Sequence, residues 1–144
     1  MKTTLSAAVL AFAAAAFSIQ HSVASDLSTP SPEGAMVYIV SPQAGESVKS
    51  PVTVVFGLKG MGIAPAGTEK EHTGHHHLLI DQTELPAPGL PMGNPPLHFG
   101  KGQTETVVEL EPGKHTLQLI LGNHLHVPHN PPVVSELITI TVTE

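Results

Sequence analysis

The sequence predicts an all-β protein, a single immunoglobulin-like (fibronectin-type) antiparallel β-sandwich of about seven strands. Three observations predict it. Short apolar runs recur along the chain, several with strict two-residue alternation. Gly 13 and Pro 14 punctuate 144 residues with turn signals. No stretch carries a sustained helical period, and no internal repeat is present.

The elements follow in order. Residues 36–40 (MVYIV) form the first strand, closed by Ser41 and Pro42. Residues 52–58 (VTVVFGL) form the second, with Val52, Val54, Phe56 and Leu58 alternating on one buried face. Gly60, Met61 and Gly62 end it, and a polar loop runs to Gly74. Residues 75–81 (HHHLLID) read as the third strand. Residues 82–96 contain five prolines, which excludes a central strand. Residues 97–100 (LHFG) and 104–110 (TETVVEL) are short strands, and 111–114 (EPGK) is a tight turn. Residues 115–121 (HTLQLIL) put Leu117, Leu119 and Leu121 on one face. A His- and Pro-rich loop over 123–132 leads to a last strand over 133–142, where Ile138, Ile140 and Val142 alternate. Pro30, Pro32 and Pro51 flank the early strands and Lys49 sits beside one, as edge protection requires.

The N-terminus is an address. Lys2, the uncharged 15-residue run over 5–19 and the small-residue motif Ser22-Val23-Ala24 have the layout of a secretory signal peptide over 1–24. The apolar run is shorter than the ~20 residues that span a bilayer. Residues 25–35 read as a flexible Pro-rich leader, and 36–144 as the sandwich domain, with no membrane span after cleavage. The expected localisation is periplasmic or secreted, in a bacterium.

Composition narrows the function. Six Lys and no Arg against twelve acidic residues leave a net charge of −6, which argues against nucleic acid as a partner. The absence of Cys removes disulfides, thiolate metal sites and Cys nucleophiles. Absence of Trp disfavours carbohydrate stacking.

Ten His remain to be explained. His21 belongs to the signal peptide. His72, His75, His76 and His77 crowd one segment, and His124, His126 and His129 another. Neutral imidazole is a ligand for Zn and Cu. Residues i and i+2 of a strand share a face, so His75 and His77 converge on one side while His76 faces inward with Leu78 and Ile80. His124 and His126 repeat the spacing. In a sandwich of this type the loops flanking both clusters fall at one end, and the 101–103 turn brings His98 to the same end. His75, His77, His124, His126 and His98 are therefore the expected metal ligands. His72, His129 and Met61 are further candidates, with Glu69, Glu71 or Asp81 orienting the rings. Copper or zinc is the implied cofactor, and Met61 would favour Cu(I).

Segment 110–117 (LEPGKHTL) resembles the corner before the penultimate strand of fibronectin-type domains, where a Tyr usually occupies the position of His115. That resemblance implies a structural role for His115, with its side chain bonding back to the turn. More broadly, GHHHLLID, HFG-x-GQTE and PGKHTLQL resemble the signature segments of a bacterial family of exported domains, the domain of unknown function 4399 family. The resemblance covers residues 36–143 and implies no activity, substrate or cofactor.

The expected function is an exported metal carrier or buffer that binds copper or zinc in a shallow His site at one loop end. The alternative is a periplasmic interaction or structural module that contacts another envelope protein and binds no metal. A metal-dependent enzyme ranks behind both, because no nucleophile elbow, H-E-x-x-H motif or acid–base pair is present. No catalytic residue is assigned.

Overall fold

The computed structural model describes residues 25–144, so the segment read as a signal peptide lies outside the described residues. Nine strands and no helix are found among them: β1 (Met36–Ser41), β2 (Ser47–Lys49), β3 (Val52–Lys59), β4 (Gly62–Ile63), β5 (Thr73–Ile80), β6 (Leu97–His98), β7 (Glu105–Val108), β8 (Gly113–Gly122) and β9 (Ile138–Thr143).

Two sheets form the sandwich. One is three-stranded in the order β1-β3-β7, antiparallel throughout, with Val37 opposite Leu58 and Val52 opposite Val108. The other runs β2-β9-β8-β5-β4. Its centre is antiparallel, whereas β2 lies parallel to β9. The outer edge of β5 is shared. Thr73 and Gly74 pair in parallel with β4, and His77 and Leu78 pair antiparallel with β6.

The alternating residues fill the space between the sheets. Val37, Val52, Val54 and Phe56 meet Leu78, Leu117, Leu119, Leu121, Ile140 and Val142, and Phe99 and Val133 join the same buried cluster. This apolar burial is the main source of stability, at roughly 1.5–3 kcal/mol per fully buried side chain.

The sequence-level elements differ from the observed ones in strand count and at several ends, β5 beginning at Thr73 and β8 at Gly113 inside the expected turn. Strands β2 and β4, of three and two residues, are too short to announce themselves by periodicity. The last strand begins at Ile138, not at residue 133. Before it, the Leu119 amide donates to Ser135 Oγ and the Ser135 amide to the Leu119 carbonyl, so a side chain substitutes for a rung of the ladder. The third strand stops at Ile80 because Asp81 takes a left-handed φ of 54°.

Strand β5 is buried on both faces. Its even-numbered residues His76 and Leu78 point at the other sheet, and His76 lies 5.0 Å from the Phe56 ring. Its odd-numbered residues His75, His77 and Leu79 point away from the core, yet they are at most 3% exposed. Two loops cover them. The Pro-rich loop over 82–96 folds back and donates from the Met92 amide to the His126 carbonyl at 2.8 Å. The loop after β8 is held at its base by the Gly122–Pro128 bridge.

The segment read as a leader runs across both loops. The Leu27 amide donates to Gly89, and the Leu27 carbonyl accepts from Asn123 Nδ2. The Asn130 amide donates to Thr29, and the Ser31 amide to Asn130.

Candidate metal centre

The odd-numbered face of β5 carries the site. His75 and His77 are two residues apart on one strand and point the same way, with ring centroids 4.8 Å apart. His98 stands opposite His77 in the β5–β6 pair, its ring 5.1 Å from that of His77 and 5.0 Å from that of His75. His126 closes the group from the loop after β8, 4.5 Å from His98 and 5.1 Å from His75. One ring nitrogen from each of the four lies within 4.8 Å of all the others.

This arrangement fits a metal ion. Four ligands at 2.0–2.1 Å from a tetrahedral ion stand about 3.3 Å apart, and His75 Nε2 and His126 Nδ1 are already 3.2 Å apart, sharing a hydrogen bond. His75 Nδ1 and His77 Nδ1 are buried without a hydrogen-bond partner, as are His76 Nε2 and His129 Nε2 outside the group. A buried unpaired polar nitrogen costs about 1–3 kcal/mol, so two of them on one face are a strained arrangement. An open cavity of about 470 Å³ gives access, lined by His77, His98, His126 and Met92 among others.

His126 is placed by a side chain rather than by a strand. Buried Asn123 accepts through Oδ1 from the amides of Leu125 at 2.9 Å and Val127 at 3.1 Å. The His126 amide donates to the Asn123 carbonyl, and the Asn123 amide to Val127. This tight Asx-type turn forces His126 to a φ of 64°, which costs a non-glycine residue about 1 kcal/mol. Val127, fully buried, anchors the far side.

Glycines leave the room. A Cβ on Gly122 would lie 2.7 Å from His77 Cε1 and 2.8 Å from Met92 Cε. On Gly74 it would lie 2.6 Å from the Gly122 carbonyl oxygen and 2.8 Å from His129 Nε2.

The electrostatics suit neutral ligands. Burial, reinforced by the neighbouring His98, His126, His76 and His129, lowers the His75 pKa to about 4. Burial and the rings of His75, His98 and His126 lower His77 to about 3. His98 is lowered by partial desolvation and by His126. Rings that resist protonation present free lone pairs at neutral pH.

The remaining sequence candidates fall elsewhere. His124 is two residues from His126, but the turn carries it to a cavity lined by His72, Glu69, Glu71 and Thr73, outside the four-ring group. His72 pairs with Glu71 at 3.5 Å on the surface. His129 is buried behind Gly74, with Nδ1 3.0 Å from Thr29 Oγ1. Met61 packs against the hydrophobic core. Asp81 serves the opposite corner, where it accepts from Thr116 and meets His115 Nδ1 at 2.7 Å. The His115 Nε2–H donates to the Glu111 carbonyl at 2.8 Å, the back-bond to the turn expected of a corner residue. His76 donates from Nδ1 to the Gln103 carbonyl at 3.3 Å on the core side.

Two supporting residues escaped sequence reasoning, Asn123 and Gly122, and Met92, a loop thioether like Met61, was left out of the candidate set. Asn directly after a predicted strand was the one available signal for the turn.

No helix of the described residues is long and apolar enough to cross a membrane. No curated protein and no solved structure matches the chain. A family model matches residues 54–143, a stretch that includes all four clustered imidazoles, and by it the chain belongs to the family described as a domain of unknown function, DUF4399.

Proposed function

We propose that the protein is an exported domain that binds one transition-metal ion, copper or zinc, through His75, His77, His98 and His126, and acts as a carrier or buffer. One observation carries this reading: four imidazoles each offer a ring nitrogen, and these four nitrogens all lie within 4.8 Å of one another. Imidazole donors suit both ions. The half-open geometry, with His75 and His77 buried and His98 exposed, favours uptake and release over permanent sequestration. Export rests on the signal-like segment over 1–24. An immunoglobulin-like type for the sandwich is supported by the β9-β8-β5 order and the parallel β2–β9 pairing.

Calorimetric titration of the purified protein with Zn(II) and Cu(II) tests the reading. Binding at micromolar affinity or tighter, abolished by the pair His75→Ala and His77→Ala, is expected. No heat from either ion removes it.

One feature favours an interaction module as a second reading. Met36, Tyr38 and Val40 alternate along β1, and each is more than 40% exposed on the sheet face away from the core. Apolar residues in a row on one face suit contact with an envelope protein.

A further inference from the structure

The cavity over the imidazoles has a lining residue of a different chemistry. Met92 comes from the Pro-rich loop, and its backbone amide donates to the carbonyl of His126, which ties the thioether-bearing residue to a proposed ligand. Its Cε and the Cε1 of His77 both lie within 2.8 Å of one point above Gly122. The end of the Met92 side chain therefore stands beside His77 at the wall of the cavity, and only a residue without a side chain at position 122 leaves room for both.

A second observation concerns charge. The four clustered donors are all imidazoles, which ligate as neutral rings, with no carboxylate in the group. His75 and His77 are at most 1% exposed. The Born cost of burying an ion rises with the square of its charge, so a neutral, partly buried donor set favours a monovalent ion over a divalent one. Thioether sulfur is a soft donor that selects Cu(I) and contributes little to Zn(II).

Resting on the metal-binding reading above, we propose that the site takes Cu(I), and that Met92 Sδ joins the imidazoles as a ligand that sets the preference for Cu(I) over Zn(II). The soft donor sits on the loop side, where Met92 and exposed His98 meet solvent, and the imidazoles of His75 and His77 hold the inner side.

The test compares wild type with Met92→Leu, a near-isosteric change that keeps the packing. Cu(I) affinity is measured anaerobically by competition with a chromophoric Cu(I) chelator, and Zn(II) affinity by calorimetry. The expected result is at least a tenfold loss of Cu(I) affinity in Met92→Leu with Zn(II) affinity unchanged within twofold. A sulfur scatterer in the X-ray absorption spectrum of the Cu(I) protein, missing from the variant, is expected alongside. Unchanged Cu(I) affinity, or equal weakening of both ions, overturns the role of Met92 while leaving the imidazole site standing. A wild type that binds neither ion overturns the metal reading, and this inference with it.

Discussion

His77 and His98 face each other across the β5–β6 pair, one 1% exposed and the other open to solvent, with ring centroids 5.1 Å apart. The two rings offer the same donor chemistry at very different structural cost. His98→Ala should change stability by no more than about 0.5 kcal/mol, as surface substitutions do. His77→Ala leaves a cavity beneath two loops and should cost about 2–3 kcal/mol. Both should lower metal affinity at least tenfold. Denaturant melts and metal titrations on the two variants separate the effects.

Metal should stabilise the fold by mass action. At free Zn(II) of 100 times Kd the gain is about 2.7 kcal/mol. For a domain of this size that is a rise in Tm of roughly 8–15 °C. Differential scanning with and without the ion, and reversal by a chelator, check it.

Asn123 should control affinity without touching the ion. Asn123→Ala removes the acceptor for Leu125 and Val127 and the donor to Leu27, for an expected loss of about 2–4 kcal/mol and a weaker metal site. Asn123→Asp keeps Oδ1 as acceptor for the turn but sets a buried carboxylate oxygen against the Leu27 carbonyl, so it should keep more metal affinity than Asn123→Ala while folding less stably than wild type. Titration of both variants against wild type reads the difference.

The two glycines should separate folding from binding. Gly74→Ala drives a methyl into the Gly122 carbonyl, a backbone atom that cannot move aside, and should cost more than about 2 kcal/mol. Gly122→Ala meets the side chains of His77 and Met92 instead. It should fold, with metal affinity reduced more than stability. Thermal melts and titrations side by side give the answer.

The corner between Asp81 and His115 should confer a pH-dependent increment. Burial would raise the Asp81 pKa, but the Thr116 amide and His115 outweigh it and lower it overall. His115 is raised, chiefly by Asp81 and then by the Glu111 carbonyl. The Asp81 contribution is present above its unfolded value near 3.8 and is lost as pH falls through the lowered folded value. The His115 contribution is full below its unfolded value of 6.5 and is lost as pH rises through the raised one. The pair should therefore stabilise most between about pH 4 and 6.5. Its half-exposed carboxylate limits the gain to under about 1 kcal/mol. The Tm gap between wild type and Asp81→Asn should be widest in that window and shrink toward pH 9. Asn tolerates the left-handed backbone at this position, so the substitution isolates the charge.

Much of the site was legible because strand parity is a strong rule. His75 and His77 had to share a face once Leu78 was core, and His98 was expected at the same end because of the 101–103 turn, whereas it arrives there by pairing beside His77. His126 was found by the same i, i+2 spacing, although the chain there is a turn. In that turn His124 and His126 diverge, so the i, i+2 spacing that joins His75 to His77 does not join these two. Met92 was passed over for Met61 because nothing in a five-proline loop says where it folds, and Met61 turned out to serve the core. The leader looked like a tether because its bonds to Gly89, Asn123 and Asn130 are backbone-led and leave no trace in residue type.

The double burial of β5 makes the strand a reading frame. In phase, it delivers His76 and Leu78 to the core and His75 and His77 to the loops. A single inserted or deleted residue between Gly74 and Leu78 would exchange the two sets, sending paired imidazoles among leucines and a leucine into the cavity. Stability and chemistry are thus encoded in alternate letters of one eight-residue word, and neither can drift in register without spoiling the other.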